Sequence, residues 1–291
     1  MSAEIFDGRV FSEKIYKSLK ARVQKLKARG IVPGLAIFST KGSLAAESFV
    51  RSKMKDSGKI GIVCRSVQVS SLGGSKNYAR AIEATLKDKN IHALILLKPL
   101  PDKADIEQLE SLIGPEKDAE GLSPAHFGRL FSARDFDEIK EKRLIVPATA
   151  LAIAEILKGL KFPFKGKKAL VIGRSNIVGN PAAHLLTMMD LTVTLAHSKT
   201  RDLRKEVGES DIVVSAVGSP HLIKGSWIKR GALVIDAGTS AVKGKLTGDV
   251  DFEGALKKAA WITPVPGGVG PVTTACLLRN VVFLAERAFQ K

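Results

Sequence analysis

The sequence predicts an α/β protein built from two lobes with parallel sheets, with a ligand-binding cleft between the lobes. Short β-rich runs alternate with amphipathic helical stretches through almost the whole chain. Alternation of this kind is typical of βαβ units, in which helices cover both faces of a parallel sheet. A charge-rich, irregular stretch at residues 132–143 separates two halves, and 291 residues are enough for two domains. Ligands usually bind in clefts beyond the carboxyl ends of parallel strands.

The individual elements are predicted from residue patterns. Runs of β-branched and other apolar residues predict strands at residues 35–38, 62–69, 93–97, 169–172, 192–196, 212–216, 233–236 and 261–263. Apolar residues at helical spacing predict helices at residues 12–28, 44–57, 77–87, 149–160, 181–189 and 274–289. A domain boundary is expected near residues 144–147, shortly before the clearest strand–turn–helix unit of the chain.

The composition is that of an ordinary soluble protein, with 45% hydrophobic and 26% charged residues. No apolar run approaches the length needed to span a bilayer, and the first residues resemble neither a signal peptide nor a transit peptide. Cys64 and Cys276 are far apart and lack metal-ligand spacing, so neither a disulfide framework nor a metal site is indicated. We therefore expect a cytoplasmic protein without a membrane partner.

The net charge is high, because 46 basic residues face 29 acidic residues and give +17. A nucleic acid or an anionic membrane is one kind of partner that such a charge attracts. General solubility and attraction of anionic small molecules are the other explanation. The basic residues are dispersed and only 5% of the residues are aromatic, which favours the second explanation and argues against a nucleic-acid partner.

A turn of small residues, G-R-S-N-I-V-G-N-P, follows the strand predicted at residues 169–172. Glycines let the backbone approach a pyrophosphate, and the N-terminus of the next helix favours an anion. The turn matches the G-x-G-x-x-G pattern imperfectly, so an ordinary βα turn stays open. The candidate cofactor-binding residues of the turn are Gly173, Arg174, Ser175, Ile177, Val178 and Gly179.

The next strand favours NADP over NAD. NAD sites usually carry an acid at the end of this strand, where it holds the ribose 2′-hydroxyl. Here the strand ends in His197, Ser198 and Lys199, which together with Arg174 suit a 2′-phosphate. Small residues end the two following strands and would let a dinucleotide lie flat. The candidate cofactor-binding residues there are Ala216, Val217, Gly218, Asp236 and Gly238.

A second glycine-rich loop, T-P-V-P-G-G-V-G-P-V-T-T, occupies residues 263–274. Proline fixes φ and glycine permits otherwise strained dihedrals, so the loop is expected to hold one specific shape. Together with G-R-S-N-I-V-G-N-P and A-V-G-S-P, this loop strongly resembles the methylenetetrahydrofolate dehydrogenase/cyclohydrolase family, often called FolD. The resemblance covers the whole chain, including K-P-L-P at 98–101, K-D-A-E-G at 117–121 and V-P-A-T at 146–149.

The resemblance implies an NADP-dependent enzyme of one-carbon metabolism and purine biosynthesis. In this family, methylenetetrahydrofolate loses a hydride to NADP, and water opens the resulting methenyl cation to formyltetrahydrofolate. The implied architecture is an N-terminal α/β catalytic lobe that binds folate (1–145, joined by the last helix, 274–291) and a Rossmann-like NADP-binding lobe (146–273). The family usually forms homodimers, and its tetrahydrofolate substrate can be polyglutamylated. The second loop adds Pro266, Gly267 and Gly268 toward the substrate, and Gly270 and Thr274 toward the cofactor.

The folate half of the implied site departs from the family pattern. The family has a Tyr and, four residues later, a catalytic Lys, which here are Phe49 and Lys53 on one helix face. Leu97 replaces a Gln, Lys98 takes a normally apolar position, and Glu120 replaces the Asp that holds the pterin. Lys53 is expected to steer or deprotonate the attacking water, with its pKa lowered by burial or by neighbouring positive charge. Without the resemblance, Lys53 would be taken for an exposed helical lysine.

These replacements indicate altered folate chemistry beside an intact nucleotide site. Hydride transfer depends largely on positioning, whereas loss of groups that organise water addition costs roughly 10²- to 10⁴-fold. We therefore expect that dehydrogenase activity persists and that cyclohydrolase activity is weak, with Lys98 lowering the pKa of Lys53. The alternatives are a non-catalytic NADP-binding paralogue and an oxidoreductase that acts on another pterin one-carbon carrier.

Overall fold

The computed structural model describes residues 2–42, 44–72, 74–98, 100 and 105–290. Pro99 and Pro101 of the K-P-L-P segment lie outside the described residues. The chain separates into two compact units. The first unit comprises Met1–Glu13, Phe131–Lys142 and Pro147–Cys276, and the second unit comprises Lys14–Leu130, Arg143–Val146 and Leu277–Lys291.

Strands and helices alternate along much of the described chain, except for four consecutive helices within residues 106–159 and three consecutive strands within residues 233–247. The strands are β1 (Glu4–Ile5), β2 (Gly34–Thr40), β3 (Val63–Val69), β4 (Ala93–Leu96), β5 (Lys168–Ile172), β6 (Thr192–Ala196), β7 (Ile212–Ser215), β8 (Leu233–Asp236), β9 (Ser240–Val242), β10 (Lys245–Thr247) and β11 (Trp261–Ile262). The helices are α1 (Gly8–Lys27), α2 (Leu44–Ile60), α3 (Gly74–Leu86), α4 (Ile106–Ile113), α5 (Pro124–Phe131), α6 (Phe136–Glu141), α7 (Ala148–Gly159), α8 (Gly179–Met188), α9 (Leu203–Glu209), α10 (Phe252–Leu256) and α11 (Val269–Gln290).

The first unit is built around a six-stranded parallel sheet with the strand order β1-β11-β8-β7-β5-β6. Strands β5, β7 and β8 are apolar and almost completely buried, as expected of parallel strands covered on both faces. Because neighbouring strands run in the same direction, the loops after β5, β6, β7 and β8 lie along one edge of the sheet. The predicted α/β class with a parallel sheet is confirmed.

The second unit contains a three-stranded parallel sheet with the order β3-β2-β4. Apolar side chains of α3 and α4 pack on this sheet, among them Tyr78, Ile82 and Leu109. The C-terminal part of α11 belongs to the same unit. There the carboxylate of Glu286 accepts a hydrogen bond from Nε of Arg22 at 2.8 Å, which joins the last helix to α1.

The sequence pattern does not predict five short helices, namely α4, α5, α6, α9 and α10. Each has eight residues or fewer, too few for a helical periodicity to stand out. The carboxylates that cap four of them, by accepting first-turn N–H groups, belong to Asp105, Asp135, Asp202 and Asp251. These aspartates are the sequence signal that could have located the helices. The prediction that residues 132–143 are irregular is wrong, because α6 lies within them.

The first strand and residues 131–142 belong to the first unit. Strand β1 pairs with β11 through Glu4 opposite Trp261 and Ile5 opposite Ile262. A strand of two residues leaves no hydrophobic pattern, so the sequence shows only the helix that follows it. The bounds of the compact units therefore differ from the predicted division between residues 145 and 146. The folate-binding role of the N-terminal lobe and the NADP-binding role of the other lobe stay predictions.

One stretch of the described residues, Val269–Phe289 within α11, is long and apolar enough to cross a membrane, contrary to the expectation from the sequence. Of its apolar window, 67% is buried inside the protein, as in the core helix of a globular domain. No group of three or more His, Cys, Asp and Glu side chains is placed to hold a metal ion within the part of the chain that the structure describes.

Candidate active site

Lys53 lies on α2, one turn after Phe49. Its side chain is partly buried, and burial lowers the pKa of its ammonium group, against the opposing charges of Glu120, Asp56 and Cys64. Phe49 exposes 54% of its surface. This helix face therefore presents an accessible aromatic ring and an amine that loses its proton more readily than an ordinary lysine.

Glu120 lies in a turn that runs beside the end of β4. The carboxylate of Asp118 shapes this turn, because it accepts the N–H groups of Gly121 at 2.9 Å and Ser123 at 2.8 Å. The N–H of Leu96 donates to the carboxylate of Glu120 at 3.4 Å. Burial, and after it the charge of Asp118, raise the pKa of Glu120 from 4.5 to about 7. Near neutral pH this carboxyl group is therefore present in both protonation states.

Lys98 points toward acidic partners. Its ammonium nitrogen lies 3.6 Å from a carboxylate oxygen of Glu110, and its charge lowers the pKa of Glu120. Burial, and not Lys98, is the cause that the structure provides for the lowered pKa of Lys53. Leu97, directly after β4, is partly buried. The five predicted folate-side residues therefore all lie in the second unit, with Lys98 acting on Glu120 in place of its expected action on Lys53.

The glycine-rich turn of the first unit begins directly after β5. Gly173 has a φ of +109°, which only glycine adopts readily. A Cβ on Gly179 would lie 1.9 Å from the carbonyl oxygen of Gly173, and a Cβ on Gly173 would lie 2.6 Å from that of Ala216. Ser175 Oγ accepts the N–H of Val178 at 3.2 Å, just before α8 begins. The turn thus combines close backbone packing with a helix N-terminus, the arrangement that binds phosphate groups.

Cationic and hydroxyl side chains follow the ends of β5 and β6. Arg174, Ser198 and Lys199 are exposed. His197 Nδ1 accepts the N–H of Lys199 at 3.1 Å, and the His197 N–H donates to Thr200 Oγ1 at 2.9 Å. Thr200 is not among the residues predicted from the sequence, although its hydroxyl stabilises this turn. Ile177, in the glycine-rich turn, exposes 40% of its surface.

A buried carboxylate, that of Asp249, supports the loop after β7. It accepts hydrogen bonds from the Ser215 hydroxyl at 2.8 Å, from the Val217 N–H at 2.8 Å, from the Gly218 N–H at 3.2 Å and from the Ser219 N–H at 2.7 Å. Asp249 is not among the residues predicted from the sequence. No local pattern marks this residue, because its hydrogen-bond partners lie some thirty residues earlier in the chain.

Asp236 also faces the interior and is only 3% exposed. Its carboxylate accepts the N–H groups of Gly238 at 3.0 Å and Val250 at 2.9 Å. Burial is the main cause that raises its pKa from 3.8 to about 6. Because backbone N–H groups engage its carboxylate, Asp236 shapes the loop after β8, and its contact with the cofactor stays a prediction.

The second glycine-rich loop is tied to the N-terminal segment within the first unit. The N–H of Gly8 donates to the carbonyl oxygen of Gly267 at 2.9 Å, and a Cβ on Gly8 would lie only 1.8 Å from that of Gly268. Gly267 has a φ of +108°, so a side chain there would be strained. The predicted ligand-binding residues of this segment that remain at least partly exposed are Pro266, Gly267, Gly270 and Thr274.

Two family models match the chain. The model described as the catalytic domain of tetrahydrofolate dehydrogenase/cyclohydrolase matches residues 6–120, and the model of its NAD(P)-binding domain matches residues 147–289. The chain belongs to the tetrahydrofolate dehydrogenase/cyclohydrolase family. The resemblance inferred from the glycine-rich loops is therefore confirmed, and Lys53 and Glu120 lie in the part that matches the family's catalytic domain.

Individual members of the tetrahydrofolate dehydrogenase/cyclohydrolase family are similar over the full chain. The bifunctional protein FolD of Moorella thermoacetica is 41% identical over 288 residues, 99% of this chain and 100% of that protein. The Trypanosoma brucei methylenetetrahydrofolate dehydrogenase-cyclohydrolase, complexed with NADP cofactor and an inhibitor, is 38% identical with a TM-score of 0.91 and full coverage of both chains. The Campylobacter jejuni FolD structure is 33% identical with a TM-score of 0.90, covering 98% of this chain and 99% of that one.

Proposed function

We propose that this family member oxidises methylenetetrahydrofolate to methenyltetrahydrofolate with NADP and hydrolyses the product to formyltetrahydrofolate only weakly. The observation that carries the reaction is that Lys53 and Glu120 both lie in the part that matches the catalytic domain and interact through their charges, while burial lowers the pKa of the amine and raises that of the carboxyl group to about 7. Groups perturbed in this way suit proton transfer at neutral pH. Bifunctional FolD relatives that are 41% identical support both the oxidation and the hydrolysis, and the weakness of the hydrolysis is inferred from Phe49 and Leu97 alone.

The residues of the first unit fit an NADP molecule. The turn at Gly173 admits close backbone approach, and the N-terminus of α8 favours the pyrophosphate. Exposed Arg174 and Lys199 offer cations to a 2′-phosphate, and no acid follows β6 directly. When bound, the nicotinamide supplies hydride-acceptor chemistry. The chain's own contribution to that step is to hold the two reactants at the right distance and angle.

The second unit provides the groups for the hydrolytic step. Lys53, as a neutral amine, takes a proton from the attacking water, and Glu120 accepts hydrogen bonds from the pterin. Leu97 lacks the amide that the family pattern has at its position, and Phe49 lacks the hydroxyl that the pattern has at its position. Because such groups orient the water, their loss is expected to slow hydrolysis by roughly 10²- to 10⁴-fold while hydride transfer persists.

A coupled assay tests the proposal. Purified protein receives methylenetetrahydrofolate and NADP, and NADPH and the methenyl product are followed together. We expect NADPH to form and the methenyl product to accumulate, disappearing little faster than it does without enzyme. Conversion of the methenyl product as fast as NADPH appears would contradict the weak hydrolysis. NADP binding without NADPH formation would instead favour a non-catalytic paralogue or another pterin substrate.

The preference for NADP is tested with charge-removing variants. Arg174→Ala and Lys199→Ala should each weaken NADP binding by about 10- to 100-fold and leave NAD binding unchanged, since a charge-assisted contact to phosphate contributes roughly 1.5–3 kcal/mol. Arg204→Ala, an exposed arginine of α9, is the matched control and should bind NADP normally. Equal losses for NADP and NAD would show that the two cations do not read the 2′-phosphate.

We further propose a cytoplasmic homodimer that uses a polyglutamylated tetrahydrofolate derivative and supplies one-carbon units for purine biosynthesis, without a membrane or nucleic-acid partner. The resemblance to the FolD family, which implies a homodimer and a folate substrate, and the dispersed positive charge support this assignment. Light scattering at micromolar concentration tests the oligomeric state, and a monomer at all concentrations would refute the dimer. If the protein stays bound to heparin in the presence of competing NADP, a polyanionic partner such as a nucleic acid would again be favoured.

A further inference from the structure

We propose that Asp249 is a positioning residue of the dinucleotide site, because it holds the loop after β7 in the shape that nucleotide binding requires. The inference rests on the proposed NADP-dependent function. Asp249 is fully buried, so it does not contact the nucleotide itself. Its effect passes through the loop at residues 215–219, which contains the predicted cofactor-binding residues Ala216, Val217 and Gly218.

One carboxylate collects four hydrogen-bond donors from this loop, the Ser215 hydroxyl and the N–H groups of Val217, Gly218 and Ser219. Successive N–H groups that converge on one point form a concavity suited to an anion. Here the chain's own carboxylate fills it from the interior. These N–H groups are therefore not available to a phosphate, and the pyrophosphate is left to the turn at Gly173.

The loop held by Asp249 forms one wall of the glycine-rich turn. The carbonyl oxygen of Ala216 lies 2.6 Å from the place of a Cβ on Gly173, so the loop and the turn approach as closely as glycine allows. On the other side, a Cβ on Gly238 would lie 2.1 Å from the carboxyl carbon of Asp249. The carboxylate is thus packed between the loops after β7 and β8, so its replacement is expected to affect the conformation of both loops.

The outer surface of the same loop remains available to a ligand. Val217 is 45% exposed and Gly218 is exposed, although their N–H groups point inward. The inner side of the loop is therefore held by hydrogen bonds to Asp249, and its outer side is accessible to the dinucleotide. Loss of the inner hydrogen bonds would let the outer surface change shape, which is the basis of an effect on nucleotide affinity.

Asp251 provides a matched control two residues along the chain. Its carboxylate also accepts backbone N–H groups, those of Gly225 at 3.3 Å and Gly254 at 3.2 Å, and it caps α10. None of these partners belongs to the loop at residues 215–219. Asp249→Asn and Asp251→Asn therefore remove similar carboxylates, of which only the first supports the nucleotide loop.

Asparagine cannot accept all four hydrogen bonds that Asp249 accepts. One of its two side-chain polar atoms is an NH₂ group, which is a donor, so in either amide orientation a donor faces at least one backbone N–H group. Ser215→Ala is the milder variant, because it removes one of the four donors and leaves the backbone intact. If Asp249→Asn fails to fold, NADP binding is measured with Ser215→Ala instead.

The test measures the dissociation constant for NADP by titration calorimetry, KM for both substrates, and the thermal unfolding midpoint. We expect Asp249→Asn to raise the NADP dissociation constant and KM about tenfold or more and to leave KM for methylenetetrahydrofolate within about twofold, with a smaller rise in Ser215→Ala. Asp251→Asn should lower the unfolding midpoint and leave NADP binding unchanged. Normal NADP binding by Asp249→Asn, or by Ser215→Ala if that variant alone folds, would overturn the inference, as would equal weakening in Asp251→Asn. Wild-type protein that binds neither NADP nor NAD would overturn the proposed function instead.

Discussion

The side-chain amide of Asn280 in α11 donates to the carbonyl oxygen of Ala119 at 2.9 Å. The same amide nitrogen donates to the carbonyl oxygen of Val146, also at 2.9 Å, and the side chain is fully buried. Ala119 directly precedes Glu120 in the chain. The last helix therefore holds the backbone of the turn that carries the candidate pterin-binding carboxylate, through one side chain far away in sequence.

Replacing Asn280 should destabilise the protein and disturb the Glu120 turn. Asn280→Leu leaves two buried carbonyl groups without their donor, and at roughly 1–3 kcal/mol each the free energy of unfolding should fall by about 2–6 kcal/mol. Denaturant unfolding measures this change. Asn77→Leu is the control, since Asn77 also donates to a backbone carbonyl, that of Leu72, but at the surface, and it should cost less than about 0.5 kcal/mol. Equal losses for the two variants would contradict the role of burial.

Hydrolysis of the methenyl product should rise with pH through the lowered pKa of Lys53. Only the neutral amine accepts a proton, and burial makes that form available below the ordinary value of 10.5. Lys53→Met should abolish this rise and the residual hydrolysis. Lys55→Met, an exposed lysine of the same helix, should leave the pH profile of hydrolysis unchanged. A Lys53→Met variant that kept the wild-type profile would exclude Lys53 as the base.

Glu120 should make the protein less stable as the pH rises. Its folded pKa of about 7 exceeds the ordinary 4.5, so between these values the folded protein keeps a proton that the unfolded chain has released. The free energy of unfolding of Glu120→Gln, relative to wild type, should therefore increase from about pH 5 to pH 8, by up to roughly 3 kcal/mol. Urea unfolding at several pH values measures it.

Glu138 is the control of opposite sign. Hydrogen bonds from Lys142 and Arg134 lower its folded pKa to about 2, so its stabilising effect is present above pH 4.5 and is lost as the pH falls toward 2. Glu138→Gln should therefore be less stable than wild type at neutral pH, and the difference should shrink in acid. The same pH trend in both glutamine variants would contradict these assignments.

Restoring the family side chains should restore hydrolysis. Phe49→Tyr combined with Leu97→Gln returns the hydroxyl and the amide that orient the attacking water. We expect the ratio of hydrolysis to NADPH formation to rise about 10-fold or more. Leu72→Gln, at a leucine that is 79% exposed, is the matched control and should leave the ratio unchanged. An unchanged ratio in the double variant would show that Phe49 and Leu97 are not the cause of weak hydrolysis.

Some elements were predictable to the residue, because their signals are local. The apolar runs at 192–196 and 233–236 are β6 and β8 with those bounds. The glycine at 173 is likewise a local signal, since its φ of +109° is a property of one residue. By contrast, β1 is a strand only because Glu4 and Ile5 meet Trp261 and Ile262, and no pattern within two residues records such a partner.

The sequence by itself determined the alternation of strands and helices, the glycine-rich turn with its basic neighbours, and the replacements at Phe49, Leu97 and Glu120. These signals lie in single residues or short runs, where backbone preferences and side-chain chemistry act directly. Only the tertiary structure decided that Asp249 supports a loop some thirty residues before it, and that Lys98 meets Glu110. It alone also decided that burial sets the pKa of Lys53 and Glu120. The physical reason is that desolvation and long-range hydrogen bonding depend on which surfaces meet, and a linear pattern does not contain that information.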